Sequence, residues 1–302
     1  MHIHRTMYAV SLAAVLAVTP PSVTAARQSS PPMPVAQMEV ILGAQGDISH
    51  GVLGVDAGRS DLQVRGGTAQ VPFASGFGIH HDLYFAPLSG DRTVFNGDIA
   101  VRPGEIQPAI DAILGHGLEF QGEHQHLYDL RPMVWFLHFR GAGAPLALAR
   151  AVRAVLDATG TPLPQHSPAH PTTPLPAAEL GRILHGDASV GPDGVVTVVV
   201  PRTDRIVLGG VRVPPELNVS TNVEFQPLAG GRAAALPDFS MTSAEVHPVI
   251  ATLRRAGWEI GCLYNQETDE HPQLYFSHAF ATGDPVTLAH QIRTAAAHTA
   301  VP

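Results

Sequence analysis

The chain has 302 residues, a 45% apolar fraction and a formal net charge of −8. That length accommodates one large or two ordinary domains, and the acidic balance excludes the clustered basic face that a nucleic-acid backbone requires. All 18 basic residues are arginine, which also excludes lysine Schiff bases, a lysine-held pyridoxal cofactor and a P-loop lysine.

In chain order, residues 1–25 read as a signal peptide: Arg5 supplies the positive end, Met7 to Val18 the short apolar run, and Val23-Thr24-Ala25 the small residues before a cleavage site. The apolar run is too short for a comfortable membrane span, so a soluble mature chain is expected to begin near Ala26, in the periplasm or outside the cell. The single cysteine, Cys262, rules out an intramolecular disulfide, and no lipobox cysteine follows the signal segment. After a linker over 26–33, a first copy spans 34–160, a Pro-rich linker 161–176, and a second copy 177–302. His81 to Arg150 aligns with Thr221 to His290 without a gap, at an offset of 140 residues. Phe85-Ala86-Pro87-Leu88 matches Phe225-Gln226-Pro227-Leu228. Asp98, Glu105, Pro108 and His138 match Asp238, Glu245, Pro248 and His278. Further upstream, Arg59-Ser60-Asp61 matches Arg202-Thr203-Asp204. So long a register indicates duplication.

Within the first copy, a short helix is expected over 35–42, with strands near 51–55, 61–65, 82–86 and 94–101. Ile106, Ile110, Ile113 and Leu114 recur at helical spacing, and Gly115 and Gly117 end that run. Leu118 to Leu127 then alternates, with Leu118, Phe120, His124 and His126 expected on one strand face. Met133 to Arg140 is apolar on both faces, as in a central strand, and Pro145 opens a last helix that Gly160 closes. Gly66-Gly67 and Gly209-Gly210 read as hairpin turns. The expectation is an α+β fold: two tandem copies of an antiparallel sheet packed with helices, related by a pseudo-twofold duplication.

The chemistry centres on His124 and His126. Two residues apart on a strand, they present two imidazoles to one side. His138 on the following strand offers a third nitrogen, and Glu105 a carboxylate as fourth ligand or general base. Three histidines and a carboxylate suit a divalent transition metal: zinc, iron, manganese or copper. The competing reading is a hydrogen-bonded structural cluster. In the second copy Tyr264 and Gln266 replace His124 and His126, while His278 and Glu245 remain, so His138 and Glu105 carry the stronger architectural expectation. Glu245 follows Thr242 in capping-box spacing; Arg102 breaks that box in the first copy. His80 and His81, leading into a strand, are candidates to join the site. Glu267-Thr268-Asp269-Glu270 reads as a solvated acidic turn. No nucleophile elbow, zincin helix or Gly-rich phosphate loop is present.

Asp98, Glu105 with Pro108, Gly117-Leu118-Glu119, His124-Gln125-His126, Arg131-Pro132 and Phe136-Leu137-His138 together resemble the LppY/LpqO-type domain of unknown function. The resemblance covers most of the mature chain in both copies. It implies an exported bacterial protein and weight on the His-x-His and late His; it implies no reaction. The chain departs from that family's pattern at Tyr264 and Gln266, which puts a second equivalent site in doubt. The missing lipoprotein cysteine does the same for membrane anchoring. The expected activity is open between metal-dependent hydrolysis of a small polar substrate and non-catalytic binding of a small or envelope-derived ligand. No nucleic-acid partner and no membrane span in the mature chain are expected.

Overall fold

A computed structural model describes residues 33–302 apart from Ser167 and Ala169. The expected signal segment and the start near Ala26 lie outside the described residues.

The first copy runs α1 (Val35–Leu42), β1 (Asp47–Ser49), β2 (Val52–Gly58), β3 (His80–Pro87), β4 (Thr93–Val101), α2 (Ile106–Gly115), β5 (Glu119–His124), β6 (Trp135–Gly143) and α3 (Pro145–Leu156). The second repeats the series: α4 (Ala177–Leu184), β7 (Asp187–Val190), β8 (Val196–Val200), β9 (Thr221–Pro227), β10 (Ala233–Thr242), α5 (Ser243–Arg255), β11 (Glu259–Ile260), β12 (Leu274–Gly283) and α6 (Pro285–Ala296). Each copy forms a six-stranded antiparallel sheet of the same order, β1-β2-β3-β4-β6-β5 and β7-β8-β9-β10-β12-β11. The expected α+β duplication is what the chain adopts.

One face of each sheet carries its own helices. Met38, Ala109, Ile113, Leu148 and Val152 close over Val55, Leu83, Phe95, Ile99 and Phe139 in the first copy. Leu180, Val249, Leu253, Leu288 and Ile292 close over Val198, Phe225, Phe239 and Met241 in the second. The opposite faces pack on each other: Ala100 and Phe136 share a core with Ala234, Leu236 and Phe280, and Val52, Ala86 and Val94 share one with Leu274 and Phe276. The layers run helix, sheet, sheet, helix. Double-sided burial explains why β4 is buried at every position and why β6 is apolar on both faces. Polar ties cross the seam. Gln121 accepts from the backbone N–H and hydroxyl of Thr268 at 2.8 and 2.7 Å, and Gln226 exchanges bonds with Pro72 and Ala74 at 2.9 and 2.8 Å.

Three local expectations change. The strand expected near 61–65 does not join the sheet; Arg65–Gly66 pairs with Val71–Pro72 in a small hairpin, and Arg65 also bridges to Arg131. The alternating run 118–127 is a regular strand only over Glu119–His124, and a bulge falls between Phe120 and Gly122. The acidic turn is solvated only in its middle: Thr268 and Asp269 are exposed, but Glu267 and Glu270 are each 2% exposed, because the turn lies against the first copy's Arg140 and Gln121. The hairpin reading at Gly209-Gly210 holds; both glycines have positive φ (52° and 78°) between paired two-residue strands, as a two-residue hairpin turn requires. Among the described residues no helix is long and apolar enough to cross a membrane.

Candidate metal centre between the two copies

The bulge in β5 sets the site. Phe120 pairs with Phe139, whose ring is in the helix-side core, whereas His124 pairs with Phe136 on the sheet–sheet side. Directly paired residues project to one face. One extra residue at Gln121 therefore shifts the alternation, and Phe120 and His124, expected on one face, lie on opposite ones. His126 follows just beyond the strand end. On β6, His138 pairs with Asp98 of β4 and Gly122 of β5. On β12, His278 pairs with Asp238 of β10, the equivalent pair in the second copy.

Docking brings these positions together. His124 stacks on Tyr264, its own counterpart, at 3.5 Å between ring centroids and 10° between planes. A residue that meets its counterpart marks the axis of a twofold relation. His126 lies between Phe136 (3.3 Å) and His278 (3.7 Å), and His138 stacks against His124 at 5.0 Å. His124, His126 and His278 each offer a ring nitrogen, and these nitrogens all lie within 4.8 Å of one another. Sequence spacing assembled His124, His126 and His138 inside one copy; in the folded chain the mutually close trio takes His278 from the other copy, with His138 beside it. His138 Nε2 is 3.5 Å from Asp98, and His278 Nδ1 is 3.7 Å from Asp238 and 3.3 Å from Cys262 Sγ.

Among the described residues, both ring nitrogens of His124 and of His138, and Nδ1 of His126, are buried without a hydrogen-bond partner. Leaving such atoms unpaired costs about 1–3 kcal/mol each. Burial, reinforced by neighbouring histidines, holds His124 and His126 well below the usual imidazole pKa. Burial brings His138 and His278 down to about 3. All four are neutral at physiological pH, the form whose lone pair binds a metal. The donor set thus fits a transition ion. An imidazole donates in its ring plane, so ligation would turn His126 and His278 edge-on from their face-to-face stack.

Glu105 lies in a different cluster. It accepts from Arg59 at 2.9 and 3.2 Å, from the Arg102 guanidinium at 2.7 and 3.0 Å, and from the backbone of Arg102 and Gly160 at 2.8 and 2.9 Å. Burial alone would raise its pKa, but the Arg59 and Arg102 bonds bring it down to about 2. The fully buried Arg59 also binds Asp61 and the Ala100 carbonyl. The second copy repeats the cluster with Arg202, Asp204 and Glu245. With both oxygens saturated by arginine and backbone donors, Glu105 is occupied in tying β4 to α2. Of the other two candidates, His81 turns to the helix side, where it accepts from Ala100 N and meets Thr161. His80 points into the seam.

Beside the imidazoles lies a chamber of about 40 Å³. His126 and His278 form one wall, and Asp82, Asp98, Glu224, Asp238 and His80 the others. Burial pushes Glu224 up to about 7 and Asp238 up to about 8, the latter against a hydrogen bond from Tyr264. Burial and Asp82 also raise Asp98. His80 stays protonated despite burial because Asp82, Glu224 and Asp56 outweigh it. Single-copy reasoning missed His278, Tyr264, Asp98, Asp238 and Glu224. The available signal was polar residues at the inward parity of strands that read as buried on both faces.

No curated protein and no solved structure matches the chain. One family model matches it twice, over residues 36–158 and again over 178–298, and the chain therefore belongs, in two tandem copies, to the family described as Domain of Unknown Function (DUF1259).

Proposed function

We propose that this chain is an exported protein with one transition-metal site, seated between its copies on His124, His126 and His278, with His138 beside them. The observation that carries this is the convergence of three buried, neutral imidazoles whose donor nitrogens lie within 4.8 Å, several of them without any hydrogen-bond partner. Three nitrogen ligands and a free position suit zinc, copper or iron, and manganese with carboxylate help. Export, and the finer kinship with LppY/LpqO-type proteins, rest on the apolar run Met7–Val18 and on the His124-Gln125-His126 and Phe136-Leu137-His138 patterns. Recovery of the protein from periplasm or medium with an N-terminus near Ala26 would bear the export out.

We assign hydrolytic chemistry on a small polar substrate to the site. A bound transition ion would supply Lewis-acid polarisation of a substrate oxygen. The protein's own part is proton management and exclusion of bulk water. With no cation in the chamber, Asp238, pushed up to about 8 by burial, holds a proton near neutral pH and can give it to a leaving group. Glu105, saturated by Arg59 and Arg102, takes no part. A second reading is a non-catalytic module for an envelope-derived ligand in which the histidines are structural; the stacks of Tyr264 on His124 and Phe136 on His126 support that structural role.

Metal analysis of the purified full chain, handled metal-replete and without chelator, separates these readings. About one transition ion per chain is expected, lost on replacing His124 and His126 with alanine. A metal-free wild type would overturn the metal reading and leave ligand binding indifferent to chelators.

A further inference from the structure

The chamber next to the imidazoles has its own chemistry. Asp82 and Asp98 from the first copy face Glu224 and Asp238 from the second across about 40 Å³. Among the described residues, the ion pairs made by these carboxylates go to histidines: His80 at 3.2 Å from Asp82 and 3.3 Å from Glu224, and the neutral rings of His138 and His278. Among the described residues no arginine pairs with them, and the chain has no lysine. One buried carboxylate, Asp98, and three half-buried ones, Asp82, Glu224 and Asp238, stand against one cationic imidazole, an excess of negative charge that a site screened from solvent tolerates only with a counter-ion or bound protons.

Two further observations point to a ligand. His126, 8% exposed and on the chamber wall, has no hydrogen-bond partner at Nδ1; Asp238 Oδ1 has none either. The volume exceeds the roughly 10–15 Å³ that one water needs. An ion with a water or two therefore fits.

We propose that this chamber is a second cation position, distinct from the three-imidazole group, that takes a hard divalent cation such as Mn²⁺ through Asp82, Asp98, Glu224 and Asp238. Oxygen donors and retained waters are what such cations prefer. Asp98 and Asp238 occupy equivalent places on β4 and β10, so the position closes only when the two copies dock. Because His126 and His278 border both positions, two ions would be neighbours. The second position stands even if the imidazole site fails.

The test is a Mn²⁺ titration of the full chain, stripped, desalted and loaded with zinc, read from the loss of the free Mn²⁺ electron paramagnetic resonance signal. Wild type is expected to bind about one Mn²⁺ in addition to zinc. The near-isosteric pair Asp98→Asn and Asp238→Asn should weaken Mn²⁺ binding by about 10–100-fold. Glu224→Gln, a single neutralisation, should weaken it in the same direction. His124→Ala should lose zinc and keep Mn²⁺. Wild type that takes up no Mn²⁺, or carboxamide variants that bind it unchanged, would overturn the second position. Mn²⁺ bound without zinc would strike the imidazole reading alone.

Discussion

The two copies share strand order, helix placement and a buried Arg–Asp–Glu cluster, yet they differ where their sheets meet. The first contributes His80, Asp82, His124 and His126; the second has Ser220, Asn222, Tyr264 and Gln266 at those places. Position 84 reverses the pattern, with Tyr84 opposed by Glu224. Both supply side chains to one seam, because their inner faces are pressed together. What both retain therefore falls into two groups. Arg59, Asp61 and Glu105 with their counterparts hold strand to helix inside a copy, whereas Asp98, His138 and theirs face the shared seam.

The largest expected effect comes from erasing the difference. His124→Tyr with His126→Gln gives the first copy the second copy's residues. Retained transition metal should fall at least about tenfold by elemental analysis, with an unchanged far-ultraviolet circular dichroism spectrum. Retention at the wild-type level would show that the first copy's imidazoles are not what holds the ion.

Next comes the shared cluster. Arg202→Ala leaves the half-buried Glu245 without an arginine partner and should cost about 3 kcal/mol in urea unfolding. Arg59→Ala should cost less, because Arg102 still binds Glu105 at 2.7 Å. The reverse order would mean that Arg102 does not back up the cluster.

A smaller effect concerns the buried turn that the second copy lays on the first. Burial pushes Glu267 up to about 8 against the Arg140 charge. A carboxyl whose folded pKa is raised binds its proton more tightly folded than unfolded, so its contribution is full below the ordinary carboxylate value and is lost as pH rises through about 8. Glu267→Gln should flatten that decline and melt higher than wild type at alkaline pH. Parallel melting curves for the two proteins between acid and alkaline pH would refute it.

The smallest concerns helix starts. Asp284 caps α6 by accepting from Thr287 N at 2.8 Å, whereas Ala144 leaves α3 without a side-chain cap. Asp284→Ala should destabilise by about 1 kcal/mol, and Ala144→Asp should stabilise by about 0.5–1 kcal/mol. Equal melting temperatures for all three proteins would show that these ends do not limit stability.

Element order and duplication were legible in the sequence, because period-2 and period-3.6 patterns and the glycine and proline stops are local. The expected helix 35–42 coincides with α1, and the run from Ile106 with α2. The histidine pair was legible for the same reason. Its phase was not: a one-residue bulge at Gln121 leaves no mark in the alternation it disrupts, so Phe120 and His124 seemed to share a face. Nor was the company it keeps. Glu105 has the right chemistry for a ligand, but Arg59, 46 residues away, claims its carboxylate.

By itself, then, the sequence determined two copies of one α+β unit, a pair of imidazoles only the first carries, and the strands on which polar residues sit at buried parity. The tertiary structure alone decided that the bare sheet faces pack against each other, that His278, Asp238 and Glu224 reach a site begun by His124 and His126, and that Glu105 does not. The reason is physical. Strand and helix periodicity are written between near neighbours, whereas the site joins His278 to His126 and His124, 152 and 154 positions away, across a seam that exists only once both apolar faces are buried.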